Sequence, residues 1–113
     1  MLKKIDCIVK QTKMDEIIQC LSEANVGGVT VSEVKGFGLQ RGYTGDKKKV
    51  TKAELLPKVR IEIIVEEEEV EKIISIVQQL AQTGKVGDGK IFVLPVEDVV
   101  RIRTKERGEL AIK

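Results

Sequence analysis

The chain has 113 residues, 42% hydrophobic and 34% charged, with a net charge of +2 and no histidine. That length fits one domain, 1–113, and the charge is too small to argue for a nucleic-acid partner or a membrane surface. Aromatic content of 3% leaves no base-stacking platform, and the missing histidines disfavour both a His/Cys metal site and His-based acid–base catalysis.

Lys4 to Lys10 carries β-branched residues in partial alternation and predicts a first strand. Asp15 opens a helical pattern in which Ile17, Ile18, Leu21 and Ala24 share one face, and Gly27-Gly28 is expected to stop it. Val29 to Val34 alternates and predicts the second strand. From Gly38 to Leu55 no periodicity is visible, and four glycines fall between 36 and 45. A connection this long inside a small domain points to a functional or mobile loop, spanning about 38–56. The basic triplet Lys47-Lys48-Lys49 lies within it.

Pro57 leads into the clearest strand, Lys58 to Val65, apolar on one face and charged at Lys58, Arg60 and Glu62 on the other. The acidic run Glu66 to Glu69 suits the first turn of the next helix, where the dipole favours carboxylates, better than it suits a metal. That helix carries Val70, Ile73, Ile74, Val77, Leu80 and Ala81 on one face. A last strand, Ile91 to Leu94, should break at Pro95. Arg101-Ile102-Arg103 alternates, which would put both arginines on one side of an extended segment. The tail, about 104–113, is of mixed charge and expected to be mobile.

The order β-α-β-loop-β-α-β predicts an α+β, ferredoxin-like sandwich with both helices on one face of a four-stranded antiparallel sheet. Pairing of the second and third strands would set the roots of the long loop side by side. The loop after the second helix is separate in the chain, so bringing it to those roots requires either sheet geometry or a neighbouring subunit. No run reaches the roughly 20 apolar residues of a membrane helix, and no signal-peptide pattern opens the chain. Cys7 and Cys20 lie in apolar segments outside any Cys-x-x-Cys pair. They read as small core hydrophobes of a reduced, cytoplasmic protein, with a disulfide as the alternative.

Thr83-Gly84-Lys85-Val86-Gly87-Asp88-Gly89-Lys90 has the composition of a phosphate cradle: glycines that let the backbone approach an anion, N–H groups able to form a nest, and lysines for charge. A flexible, solubilised glycine hairpin is the plainer alternative. The segment is not a Walker loop, because no Gly-Lys-Ser/Thr closes it and the order is helix–loop–strand. No histidine supports Ser22, Ser32 or Ser75 as a nucleophile, which favours binding without turnover over a small phosphotransfer or hydrolytic enzyme.

Three segments carry a resemblance: Val31 to Gly38 with Gln40 and Gly42; Leu56 to Glu62; and Thr83 to Val93 with Arg101 to Thr104. Along essentially its whole length the chain resembles the PII nitrogen-regulatory signal-transduction proteins. The resemblance implies a homotrimer with ATP or ADP held between neighbouring subunits. It implies that Thr30, Gly36, Phe37, Gly38, Glu62 and Ile64 line the adenine and ribose side. Gly84, Val86, Gly87, Asp88, Gly89, Lys90, Arg101 and Arg103, with Lys58, would complete the nucleotide site towards the phosphates. Gln40 would ligate a Mg²⁺ ion bridging ATP and 2-oxoglutarate, and Arg41, Gly42, Lys58 and Gly87 would hold that acid.

The long loop, with Tyr43, Thr44, Lys47, Lys48 and Lys49, would report ligand state to an ammonium transporter or to a nitrogen-metabolism enzyme or regulator. An adenylate-only sensor gating another transporter or enzyme is the alternative. The loop departs from the pattern: its only tyrosine, Tyr43, lies near the root, and the serine phosphorylated in some members is absent. Covalent control is therefore not implied. Leu39 stands where an arginine is common, and Lys10 to Lys13 lacks the usual proline.

Overall fold

The computed structural model describes residues 1–38 and 54–113. Strands β1 (Leu2–Val9), β2 (Thr30–Gly36), β3 (Leu56–Glu66) and β4 (Gly89–Val96) form one antiparallel sheet in the order β2-β3-β1-β4. Helices α1 (Met14–Glu23) and α2 (Val70–Ala81) cover one face of it. The sandwich expected from the sequence is present, and β3 and β1 occupy the centre because their alternate residues are the most apolar. Val59, Ile61, Ile63 and Val65 of β3 meet Ile5, Cys7 and Val9 of β1 beneath Ile17 and Leu21 of α1 and Ile73 and Val77 of α2. Cys7 is a buried core residue and Cys20 is partly buried; both are free thiols, so the disulfide alternative falls.

Each helix is entered through a single 3-10 turn, Gln11–Lys13 before α1 and Glu67–Glu69 before α2. The carboxylates Glu67 to Glu69 thus stand at the start of α2, the placement its dipole favours. α1 ends differently from the sequence-based expectation. Asn25, at φ 61°, takes the left-handed position, and the Asn25 and Val26 N–H groups return to the Ser22 and Leu21 carbonyls at 3.2 and 3.3 Å. This is a Schellman motif closed by asparagine, which tolerates that conformation better than most side chains, and Gly27-Gly28 is not the stop.

Two further expectations are corrected. Pro95 does not break the last strand: β4 continues to Val96 with Pro95 paired to Lys3. β4 pairs only with β1 in this sheet, so a residue lacking an N–H is tolerated there. Arg101 to Arg103 is not extended either. Val100 bridges Arg107, and the Lys105 N–H returns to the Arg101 carbonyl at 2.8 Å, with Lys105 at φ 64°. The segment is a tight turn. Beyond it, Gly108–Ile112 forms a 3-10 turn against the body of the fold.

Candidate ligand site

β2 and β3 part company side by side, Gly36 being paired with Leu56, so both ends of the long loop start from one sheet end. The loop residues expected to bind or signal, Gln40, Arg41, Gly42, Tyr43, Thr44, Lys47, Lys48 and Lys49, lie outside the described residues. At the same sheet end the row Val59–Val9–Gly89 runs across β3, β1 and β4. One step beyond it stand Lys58, Lys10 and Asp88. Lys58 Nζ donates to the Gly87 carbonyl at 2.8 Å, and Lys10 Nζ lies 3.3 Å from Asp88 Oδ1.

The glycine-rich loop therefore reaches the loop root within one chain, by sheet geometry, with no neighbouring subunit needed for that contact. The reason is the strand order. β1 ends at Val9, and the connection entering β4 crosses over that end to meet β3. Sequence reasoning did not single out Lys10; its position just past the end of the first strand, level with Lys58, was the available signal.

The loop's shape comes from a carboxylate. Asp88 accepts the Thr83 N–H at 2.7 Å, the Gly84 N–H at 2.9 Å and the Thr83 hydroxyl, besides pairing with Lys10. Burial pushes the Asp88 carboxyl up, but these donors outweigh it and hold it well below the usual carboxylate range. Asp88 thus organises the loop, while the backbone and the lysines are the groups able to meet an anion. Gly84, Gly87 and Gly89 all hold positive φ, and a Cβ on Gly89 would lie 1.8 Å from the Ile8 carbonyl oxygen. No other residue can start β4 there without moving backbone. Val86 is exposed on the loop.

Burial lowers the Lys58 pKa, repulsion from Lys10 lowers it further, and Asp88 partly opposes both. An anion placed between the two ammonium groups would relieve that repulsion.

The residues expected around adenine and ribose fall on the sheet face not covered by the helices. Thr30 is paired with Glu62, and Ile64, two residues on, shares the Glu62 side of β3. Glu62 is held by Lys4 at 2.5 Å, which keeps its pKa below the ordinary value. Gly36, Phe37 and Gly38 sit at the loop root, with Phe37 half exposed. Lys90 pairs with Ile8 on the open face. Arg101 and Arg103 are not brought to this cluster. They follow the exit of β4, whereas the glycine-rich loop precedes its entry, and seven steps of strand put those points about 23 Å apart. Arg103 is exposed, and Arg101 bonds to its own chain. Among the described residues no group of His, Cys, Asp and Glu side chains could hold a metal ion, and no helix is long and apolar enough to cross a membrane.

The family model for nitrogen regulatory protein P-II matches residues 2–106. The chain belongs to the nitrogen regulatory protein P-II family. It is 50% identical to the P-II protein of Azospirillum brasilense over 115 aligned residues, covering 98% of this chain and all of that one. The P-II 1 protein of Escherichia coli K12 is 47% identical with the same coverage. Among solved structures, Arabidopsis thaliana PII bound to citrate superposes with a TM-score of 0.80 at 40% identity, covering 97% of this chain and 91% of that one. The P-II chain described here is accordingly a signal-transduction regulator and not an enzyme.

Proposed function

We propose that this P-II protein senses ATP and ADP, and with ATP also 2-oxoglutarate, and passes the result through its long loop to an ammonium transporter or to a nitrogen-assimilation enzyme or regulator in the cytoplasm. The observation that carries the reading is the meeting of Lys58 with the Gly87 carbonyl at the loop root, with Lys10 alongside. Two ammonium groups, the glycine-rich loop and the start of a long connection share one corner of the fold. That corner suits a ligand bearing carboxylate or phosphate. The citrate in the Arabidopsis relative, a polycarboxylate, is compatible with such chemistry.

In this reading Gly84, Val86, Gly87, Gly89, Lys90 and Lys58 receive the phosphates, with Asp88 holding the loop's shape. Thr30, Gly36, Phe37, Gly38, Glu62 and Ile64 flank the nucleoside. Arg101 and Arg103 come from a second copy, because β4 separates them from the loop in their own chain. A homotrimer supplies such pairs by cyclic symmetry. Gln40 would hold Mg²⁺, and Arg41, Gly42, Lys58 and Gly87 the oxoacid. The metal would supply charge neutralisation between the two anions. What this chain contributes is position: a bound anion takes over Lys58 and Lys10, and the shape of the loop rooted beside them shifts in population. Tyr43, Thr44 and Lys47 to Lys49 would then meet the partner.

Calorimetry with Mg-ATP and 2-oxoglutarate tests the reading. Each should tighten the other, and Gln40→Ala should abolish that coupling while sparing most ADP binding. Adenylate binding without any response to the oxoacid would leave the narrower adenylate sensor instead. Replacing Lys47, Lys48 and Lys49 by alanine should weaken partner binding with nucleotide affinity unchanged.

A further inference from the structure

Arg101 is engaged by oxygens of its own chain. Nη1 donates to Glu106 Oε1 at 2.8 Å, and Nη2 donates to the Ala111 carbonyl at 3.3 Å and to the main-chain oxygen of Lys113. Glu106 is fixed in turn by the Thr104 hydroxyl at 2.8 Å. The segment 108–113 therefore lies across the guanidinium. A second, independent observation concerns its seat. A Cβ on Gly27 would fall 2.1 Å from the Ile112 carbonyl oxygen, in a connection between α1 and β2 whose helix stop is Asn25 and not this glycine. A bare backbone at Gly27 is what lets the segment lie down.

The geometry points to residues 108–113 as a strap that occupies Arg101 until a polyphosphate displaces it. The inference rests on the proposed role of Arg101 in holding phosphate. The strap meets the guanidinium only through main-chain oxygens, beside the Glu106 carboxylate, whereas a polyphosphate offers several anionic oxygens in the bidentate geometry that the planar fork favours. The polyphosphate wins the exchange, but its apparent affinity is reduced by the fraction of molecules with the strap in place. Release of the strap then signals occupancy at the C-terminal side of the fold, separately from the long loop.

The test titrates the full chain with inorganic tripolyphosphate and with Mg-ATP, by calorimetry and by amide hydrogen exchange. Exchange across 108–113 should accelerate on saturation. Gly27→Ala, which unseats the strap and leaves Arg101 untouched, should bind tripolyphosphate about fivefold more tightly, the net worth of roughly one hydrogen bond. Adding Arg101→Ala to Gly27→Ala should erase that gain. If the unaltered chain binds the anion while exchange at 108–113 stays constant and Gly27→Ala binds no better, the strap is not a competitor and the inference is overturned. If neither protein binds polyphosphate, the nucleotide reading itself falls and the strap with it. Should Gly27→Ala fail to fold, exchange in the unaltered chain decides alone.

Discussion

The Asp88 carboxylate gathers the N–H groups of Thr83 and Gly84, the Thr83 hydroxyl and the Lys10 ammonium, so the order of the glycine-rich loop depends on one charged side chain. Asp88→Asn keeps the size but loses the charge, and should lower unfolding stability by about 1–2 kcal/mol in urea titrations at neutral pH. The sign with pH follows from the direction of the shift. A carboxyl held below its ordinary pKa in the fold contributes fully above that ordinary value and loses the contribution as pH falls through the folded one. The stability gap between the parent chain and Asp88→Asn should therefore close as the medium is acidified.

Lys58 gives the opposite flank. Its lowered pKa means that it sheds its proton sooner than an ordinary lysine, so, if Lys58 holds the oxoacid as proposed, affinity for 2-oxoglutarate should start to fall on the alkaline side below the usual lysine range. Titrations from neutral to alkaline pH check this. At Cys7, burial first and the neighbouring Asp6 second push the thiol up to about 12. In the native protein a thiol reagent at mildly alkaline pH should label Cys20 and spare Cys7, with both reacting in denaturant. A place for Asp88 at the phosphates was what the family resemblance implied. The closure of Thr83 onto it, from five residues away, is a property of the folded loop that spacing alone does not disclose.

At the level of elements, the end of α1 is the most instructive position. Asn25→Gly should raise stability by about 0.5–1 kcal/mol, since glycine enters the left-handed region without a Cβ penalty. Asn25→Val should lower it by about 1–2 kcal/mol, and midpoints of chemical denaturation measure both. The strands and helices themselves were legible because their apolar periods are clean, as in Val59, Ile61, Ile63 and Val65 or Val70, Ile73 and Val77. Boundaries were less so. Pro95 reads as a breaker in isolation, yet β4 has a free side in this sheet and accommodates it. The pattern Arg-Ile-Arg satisfied strand alternation, but the Val100–Arg107 bridge and the Arg101–Glu106 bonds fold that stretch back on itself. Those partners lie downstream in a tail whose mixed charge advertised nothing.

Over the whole molecule, the helices protect one sheet face and leave the other bearing Lys4–Glu62 and Arg60–Asp6 ion pairs beside the exposed Phe92 and Leu94. Apolar side chains half exposed on a regular sheet face suit contact with further copies. If the protein assembles as the proposed trimer, Phe92→Glu should reduce the mass measured by light scattering from three chains to one while the far-ultraviolet circular dichroism of the chain persists. The ligand corner was readable in kind from glycines and lysines, but its assembly was not. Strand order, absent from any local pattern, brought Gly87 to Lys58 and left Arg101 at the far end of β4.

The length of β4 has a consequence for mixtures. If each protomer lends the entry of that strand to one pocket and its exit to another, damage at the two ends is complementary. A Lys58→Ala chain and an Arg101→Ala chain, each unable to form a sound pocket with its own kind, should regain some high-affinity ATP binding when unfolded and refolded together. The rescue would come from hybrid rings in which an unaltered entry happens to face an unaltered exit.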